Sequence, residues 1–277
     1  MEKKNHNILA IIGLIILFGS IYMSTVLKIP RFYVFFCIGY LIIIDFINYK
    51  LRKESVIDLL FKKSKIKATY FFIIGSLISA IVVDYFYGVL LFEIWSWNNY
   101  TLVNWIVLYT IINFCFILLV YGTYKIFEKY LDDTKYNKYK PNHKLREKLQ
   151  IIAFIFLIIP LINYMIFGKI GTNYTMIFPF LSIWLFSDSL LLEYKTPILL
   201  RLIKSKHIIY TLLLSSLFLV ITHEVANIFS FEWMYVNIPF MHYMLYNIPV
   251  LVFIGWIPLI LFCISFVETY IEKTKKI

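Results

Sequence analysis

The chain contains few charged residues for its length. Only 16% of its 277 residues are Asp, Glu, Lys or Arg, whereas 61% are hydrophobic. The apolar residues occur in long runs and do not alternate with polar ones, a composition that excludes an ordinary water-soluble globular domain. The sequence therefore predicts an integral membrane protein, in which much of the apolar surface faces lipid.

Signatures of common catalytic and metal sites are also missing. The sequence has no C-x-x-C, H-E-x-x-H, G-x-S-x-G, glycine-rich phosphate loop or G-x-x-x-G. Its cysteines, Cys37, Cys115 and Cys263, lie inside apolar runs, which is typical of small packing residues. The acidic pair at 132–133 is not repeated, as a prenyl-diphosphate site would require. We expect no cofactor.

Metal ligands are available in the second half of the chain, but their spacing is wrong for a metal site. His223, Glu224 and His242 can each bind a metal ion, yet they do not form a compact motif. We therefore predict no metal.

Basic residues exceed acidic ones, which gives a net charge of +11. Such a charge favours nucleic-acid binding when it lines one face of a soluble domain. Here the basic residues lie in short segments between the apolar runs, so we expect no nucleic-acid partner. This distribution is the one that orients membrane proteins.

The apolar runs are long enough to form eight transmembrane helices. The predicted spans are 8–27, 32–48, 68–91, 102–126, 149–168, 175–193, 208–230 and 247–270. Of the 27 Lys and Arg residues, 24 lie at the chain termini or in the connections after the second, fourth and sixth spans. This predicts a multi-pass protein of the cell membrane with both termini in the cytoplasm. The loops 92–101 and 231–246, which contain no Lys or Arg, then face outward.

The two halves of the chain resemble each other at an offset of about 140 residues. Asp45 corresponds to Asp188, and F-E-I-W-S-W from Phe92 corresponds to F-E-W-M-Y from Phe231. Each half has four spans, and an even number of spans places both halves in the same orientation. We predict an all-α bundle of two parallel four-helix repeats, 1–127 and 149–277, joined by a basic cytoplasmic linker at 128–148.

Proline distinguishes the second repeat from the first. Pro160, Pro179, Pro249 and Pro258 all fall within or near predicted spans. Proline frees backbone carbonyls, which membrane helices tolerate beside a cavity or a neighbouring helix. The second repeat is therefore the favoured place for a cavity.

Ionisable residues inside the spans are few and costly, and such residues usually face the bundle interior or a wet cavity. Asp84, His223 and Glu224 lie near the outer ends of their spans, and a twofold arrangement would bring them together. A buried carboxylic acid there can serve as a proton donor. The alternative is a polar cluster that only fixes helix packing. For Asp45 and Asp188, near the cytoplasmic ends, ion pairing to the basic loops is favoured.

Aromatic residues accompany these groups in both halves. They can form a belt at headgroup depth, or they can line a cavity for a lipidic substrate and stabilise a cation through their π faces. The belt does not explain Trp184 and Trp256, which fall in the middle of spans. The candidate substrate-binding residues are Trp95, Trp97, Asn227, Glu232, Trp233, Tyr235 and Trp256.

The stretch H-E-V-A-N…F-E-W-M-Y…I-P-V-L-V-F-I-G-W, which ends at Trp256, resembles carotenoid hydratases. These membrane enzymes share a pattern of an acid, W-x-Y and V-P-x-x-x-x-x-x-W. Asp84 followed by W-S-W resembles lycopene cyclases. The resemblance covers about forty residues of one repeat. It implies that an acid such as Glu224 protonates a double bond, while aromatic side chains shelter the cation. From their positions in the spans, we predict Asp84 and His223 as the partners of Glu224 in catalysis.

Three functions remain open from the sequence. The first is a membrane enzyme or binding protein for a hydrophobic small molecule, isoprenoid-like or lipid, near the outer leaflet, with membrane lipids as its surroundings. The second is a small-solute or proton-coupled transporter, because parallel repeats, prolines and intramembrane acids also suit alternating access. The third is a non-catalytic membrane component. The sequence does not predict an oligomeric state.

Overall fold

The computed structural model describes residues 3–62, 64–98, 100–131 and 142–275. Ten α-helices occur in these ranges: α1 Lys3–Thr25, α2 Phe32–Arg52, α3 Val56–Phe61, α4 Lys65–Ile78, α5 Leu102–Leu131, α6 His143–Thr172, α7 Ile177–Leu191, α8 Ile198–Lys204, α9 Lys206–Ser230 and α10 Val250–Lys275. A π-helix, Ser79–Leu91, continues α4, and a 3₁₀ turn, Asn173–Thr175, precedes α7. The strands are β1 Trp95–Trp97, β2 Trp233–Tyr235, β3 Met244–Leu245 and β4 Ile248–Pro249. The predicted all-α fold is confirmed.

Eight helices in the described residues are long and apolar enough to cross a membrane. They are His6–Thr25, Phe32–Arg52, Lys65–Leu91, Leu102–Leu131, His143–Lys169, Asn173–Leu191, Lys206–Ser230 and Val250–Lys275. Each matches one predicted span to within a few residues, so the protein is a polytopic membrane bundle. Several helices continue further than predicted because hydropathy detects only the lipid-buried part, and helical hydrogen bonding continues into charged sequence.

The order of elements in the second half repeats that of the first. Two long helices, a short helix, a third long helix and a three-residue strand follow one another in each, and a fourth long helix comes last. In the second half, β3 and β4 precede this last helix. α2 packs between α1 and α5, and α7 packs between α6 and α10 in the same way. α5 contacts both α9 and α10, so the halves meet along these helices. Of the predicted linker 128–148, positions 132–141 lie outside the described residues, and its described ends belong to α5 and α6.

Asp45 and Asp188 have equivalent structural roles in the two halves. Asp45 accepts a hydrogen bond from the backbone N–H of Ile57 in α3, at 3.0 Å. Asp188 accepts hydrogen bonds from the N–H groups of Ile198 and Leu199 in α8, at 2.7 and 2.8 Å. A helix N-terminus has unpaired N–H groups that favour a carboxylate. The aspartates therefore fix the short helices, in place of the ion pairing that the sequence favoured.

A buried ion pair joins α8 to α10 in the second half. The Arg201 guanidinium donates from Nη1 to Oε1 of Glu268 at 3.2 Å, and from Nη2 to Oε2. Only 1% of Arg201 and 2% of Glu268 are exposed. Lys195 Nζ lies 3.1 Å from Oε2 of the same carboxylate. Glu268 is thus paired with two cations, which compensates for its removal from water.

A small antiparallel sheet joins the loop after the π-helix to the loop after α9. β1 pairs with β2 in the register Trp95↔Tyr235, Ser96↔Met234 and Trp97↔Trp233. The segments F-E-I-W-S-W and F-E-W-M-Y, recognised as equivalent in the sequence, therefore bind each other. This pairing brings the ends of the π-helix and α9 to one side of the bundle.

Irregular backbone occurs on the same side. The π-helix contains Asp84, and π-helical turns in proteins are frequent at functional sites. α6 is interrupted at Gly168, whose φ of 65° lies in the left-handed region that favours glycine. Pro249 lies in β4 and not in a helix, since α10 begins only at Val250. Pro160 and Pro258 are inside α6 and α10, as expected.

Candidate functional site

A cavity of about 140 Å³ lies between the two halves. Residues of α2, the π-helix, β1 and α5 line it from the first half, and residues of α7, α9, β2 and α10 line it from the second. The prolines favoured a cavity in the second half. The structure instead shows a cavity that both halves line. Its polar side chains include Asp84 and Glu224, and no Lys, Arg or His is among the described residues that line it.

Glu224 is held in the cavity wall by two aromatic donors. The residue lies on α9 and is only 1% exposed. The Tyr235 hydroxyl donates to Glu224 Oε1 at 2.5 Å, and the Trp256 indole Nε1 donates to the same oxygen at 3.3 Å. Trp233 Nε1 in turn donates to the Tyr235 hydroxyl at 3.3 Å. The sequence selected all four residues, and the structure brings them together.

Asp84 is the second carboxyl group that lines the cavity. It is 8% exposed and hydrogen-bonds with the Tyr109 side chain. Its Oδ2 has no hydrogen-bond partner among the described residues. Buried polar atoms in proteins are nearly always paired, so this oxygen needs an explanation. Tyr109 was not selected from the sequence, where nothing distinguishes it from the other tyrosines in the spans.

Tyr235 lies near both carboxyl groups. Burial raises the pKa of its hydroxyl well above the usual range, and the negative charges of Glu224 and Asp84 raise it further. Tyr235 therefore stays protonated near neutral pH, so its hydroxyl donates to Glu224 while it accepts from Trp233 Nε1. It fixes the position of Glu224 Oε1.

His223 is not a hydrogen-bond partner of Glu224 or Asp84 in the described contacts. Its Nδ1 lies 2.6 Å from the Tyr33 hydroxyl. The ring is fully buried and packs against aromatic rings, including those of Phe36 and Phe116 at 5.2 and 5.5 Å. His223 does not line the cavity. The structure therefore gives it a packing position behind the site, and Tyr33 is a contact that the sequence did not reveal.

Asn227 and Glu232 hold the loop in place and do not line the cavity. The Asn227 amide binds both the N–H and the C=O of Trp233, at 3.1 and 2.8 Å. Glu232 accepts hydrogen bonds from the Tyr100 hydroxyl and from the backbone N–H of Tyr33 at 3.1 Å. It thereby caps the start of α2. Burial raises the pKa of the Glu232 carboxyl, although its hydrogen-bond donors oppose the shift.

The predicted tryptophans form walls of the cavity. Trp95, Trp97, Trp233 and Trp256 all line it. The rings of Trp97 and Trp233, from opposite halves, lie 5.5 Å apart. A belt at headgroup depth would direct these rings toward lipid, whereas here they face an internal space. Trp105 lies behind this wall and stacks on Tyr109 at 4.6 Å.

Among the described residues, no group of three or more His, Cys, Asp or Glu side chains is arranged to hold a metal ion. Comparison of the chain with protein-family models, with curated proteins and with solved structures finds no match. The resemblance to carotenoid hydratases and lycopene cyclases stays a prediction. The geometry of the cavity is therefore the basis for assigning a function.

Proposed function

We propose that the protein is a membrane enzyme that protonates a hydrophobic substrate, isoprenoid-like or lipid, in the cavity between its halves. One observation carries this proposal: the Glu224 carboxyl group lies in an otherwise aromatic and aliphatic wall, with two donors on one of its oxygens. A carboxylic acid in such surroundings suits the role of a general acid toward a bound double bond.

The hydrogen bonds to Glu224 suit proton donation. Tyr235 and Trp256 both donate to Oε1, so the negative charge that forms when the acid loses its proton meets two existing donors. The proton added to a substrate double bond leaves a carbocation. The π faces of the tryptophans lining the cavity stabilise positive charge, and no basic side chain among the described residues opposes it there. Asp84 supplies a second carboxyl group that can take up the proton released when the cation collapses.

The size of the cavity limits what it holds at one time. An engineered protein cavity of about 150 Å³ binds benzene. The space of about 140 Å³ thus accommodates one end of a long isoprenoid chain, and the remainder must extend away from the site. A substrate dissolved in the membrane satisfies this requirement, because its apolar chain needs no aqueous path.

The proposal includes the orientation of the protein. Eight consecutive spans return the chain to its starting side, so the two termini lie on one side. β1 follows three spans and β2 follows seven, so both strands lie on the opposite side. The excess of Lys and Arg on the terminal side supports a cytoplasmic location of both termini, with the cavity nearer the outer leaflet of the cell membrane.

Deuterium transfer tests the proposal directly in a mixture of membrane lipids. Purified protein in nanodiscs is incubated with membrane lipid extract in D₂O, and the isoprenoid fraction is analysed by mass spectrometry. The native protein is expected to add deuterium to a hydrophobic component, and Glu224→Gln to slow this by roughly 10²- to 10⁴-fold. Glu93→Gln is the matched control, because Glu93 is half exposed and pairs with Lys169 away from the cavity. Equal incorporation by Glu224→Gln and the native protein would refute the role of Glu224.

Proton-coupled transport is the second candidate, and it is favoured by two carboxyl groups facing one cavity between parallel halves. Liposomes with an imposed pH gradient separate the two functions. Solute uptake that follows the gradient and disappears in Glu224→Gln, without deuterium incorporation, would favour transport. A role limited to packing is disfavoured by the cavity beside Glu224.

A further inference from the structure

Three buried polar atoms around the cavity have no hydrogen-bond partner in the part of the chain that the structure describes. They are Asp84 Oδ2, Trp95 Nε1 and Trp97 Nε1. All three residues line the cavity. Each unpaired group costs free energy in a buried site, so a ligand that pairs them gains affinity. One atom is an acceptor and two are donors.

The three residues belong to one neighbourhood. Trp95 packs so closely on Gly88 that a Cβ added there would lie 3.0 Å from Trp95 Nε1. Gly88 follows Asp84 by four positions in the same π-helix. On the other side, the Trp97 ring lies 4.8 Å from the ring of Tyr109, whose hydroxyl binds Asp84. The two indoles thus flank the region of Asp84.

We propose that the ligand of this cavity carries a neutral hydroxyl group on an apolar body, as in an isoprenoid or other lipid alcohol. A hydroxyl donates one hydrogen bond and accepts two, which matches a carboxylate oxygen and two indole N–H groups. A pure hydrocarbon would leave all three atoms unpaired. An ammonium group would pair Asp84 but offers no acceptor to either indole. The inference uses the cavity of the proposed function, yet it concerns recognition and requires no proton transfer.

Matched ligands of one length provide the test. Geraniol, geranylamine and the corresponding hydrocarbon, 2,6-dimethyl-2,6-octadiene, are titrated into the full-length protein in nanodiscs. Binding is followed by tryptophan fluorescence, and signals are corrected for partition with protein-free nanodiscs. Geraniol is expected to bind about tenfold more tightly than the hydrocarbon, the effect of one or two buried hydrogen bonds.

Variants connect the preference to the named atoms. In Asp84→Asn the amide oxygen takes the hydrogen bond from Tyr109 and an NH₂ group replaces Oδ2, so the preference for the alcohol should fall to about threefold or less. Trp97→Phe should lower it by a smaller factor. Trp184→Phe is the matched control, because its Nε1 also has no partner among the described residues but the residue does not line the cavity. That variant should retain the native preference.

Several outcomes would overturn the inference. One is equal affinity for alcohol and hydrocarbon, which means that ordered water or nothing pairs the three atoms. Another is geranylamine binding more than tenfold tighter than geraniol, which would indicate a cation site. Deuterium transfer without a preference for the alcohol would refute this inference alone, and a preference for the alcohol without deuterium transfer would refute the proposed function alone. The two proposals can therefore fail separately.

Discussion

The Tyr235 hydroxyl donates a hydrogen bond to Glu224 Oε1, with 2.5 Å between the oxygens. This contact crosses from β2 to α9 and fixes the carboxyl group against the cavity. The Tyr235 hydroxyl also accepts a hydrogen bond from the Trp233 indole, which fixes its position. The position of the candidate acid thus depends on a loop residue that the β1–β2 sheet orients.

Tyr235→Phe should slow deuterium transfer by about ten- to a hundredfold. The substitution removes one donor to the carboxylate that forms during proton transfer, and a hydrogen bond to a charged group contributes about 1.5–3 kcal/mol. The aromatic ring and the fold should be retained. Tyr246→Phe is the control, because Tyr246 is 82% exposed and does not line the cavity. Unchanged transfer in Tyr235→Phe would show that the contact does not serve catalysis.

His223 and Tyr33 should be coupled in stability. Their 2.6 Å contact is fully buried, so His223→Phe removes a partner of the Tyr33 hydroxyl and should destabilise the fold by about 1–3 kcal/mol. The double variant His223→Phe/Tyr33→Phe should lose less free energy of unfolding than the sum of the losses in the two single variants. The difference, which is the coupling energy, should be about 1 kcal/mol. Reversible unfolding in mixed micelles measures this double-mutant cycle. Additive effects would contradict the contact, and loss of deuterium transfer at native stability would assign His223 to catalysis instead.

The buried Glu268–Arg201 pair should contribute far more to the stability of the fold than the partly exposed Glu193–Arg146 pair. Glu268→Gln leaves a buried guanidinium without its partner charge, which typically costs about 3–5 kcal/mol. Glu193→Gln breaks a partly exposed pair, and we expect a change of about 1 kcal/mol or less. Chemical unfolding in micelles gives both values. Similar losses in the two variants would refute the contrast.

Glu232 should make the fold sensitive to pH. Burial raises its pKa in the folded state, so the stabilisation from its bound proton is complete below the ordinary value of 4.5. That stabilisation is lost as the pH rises through the raised pKa. Glu232→Gln cannot lose a proton, and its unfolding midpoint should fall less than that of the native protein as the pH rises from about 4.5 to neutrality. If the unfolding midpoints of the two proteins changed equally with pH, Glu232 would not be the group that makes the fold sensitive to pH.

The spans could be predicted because hydropathy acts over about twenty residues and needs no tertiary information. The candidate acid and its aromatic neighbours could also be predicted. Glu224, Tyr235 and Trp256 occur within one stretch, and a carboxyl group in an apolar span is rare enough to be noticed. Asp84, the second carboxyl group, could be predicted because it occupies the position in the first half that His223 occupies in the second.

The partners of these groups could not be predicted, because they depend on helix packing across the two halves. Tyr33 meets His223 over a separation of 190 positions, and Tyr109 is one of 22 tyrosines. The capping of α8 by Asp188 requires a short helix that hydropathy does not detect. Likewise, the π-helix around Asp84 could not be predicted. Its segment is so uniformly apolar that the spacing of polar and apolar residues does not distinguish a π-helix from an α-helix.

The register of β1 and β2 has a consequence for the symmetry of the site. Trp95 pairs with Tyr235, Trp97 pairs with Trp233, and Ser96 and Met234 face each other at the centre. Such a pairing is self-complementary, as in an isologous dimer. The carboxyl groups beside it are not: Glu224 lies on α9, whereas Asp84 lies on the π-helix and corresponds in the sequence to His223. The two faces of the cavity are therefore chemically different, although the sheet beside them is self-complementary, so a substrate can bind in only one direction.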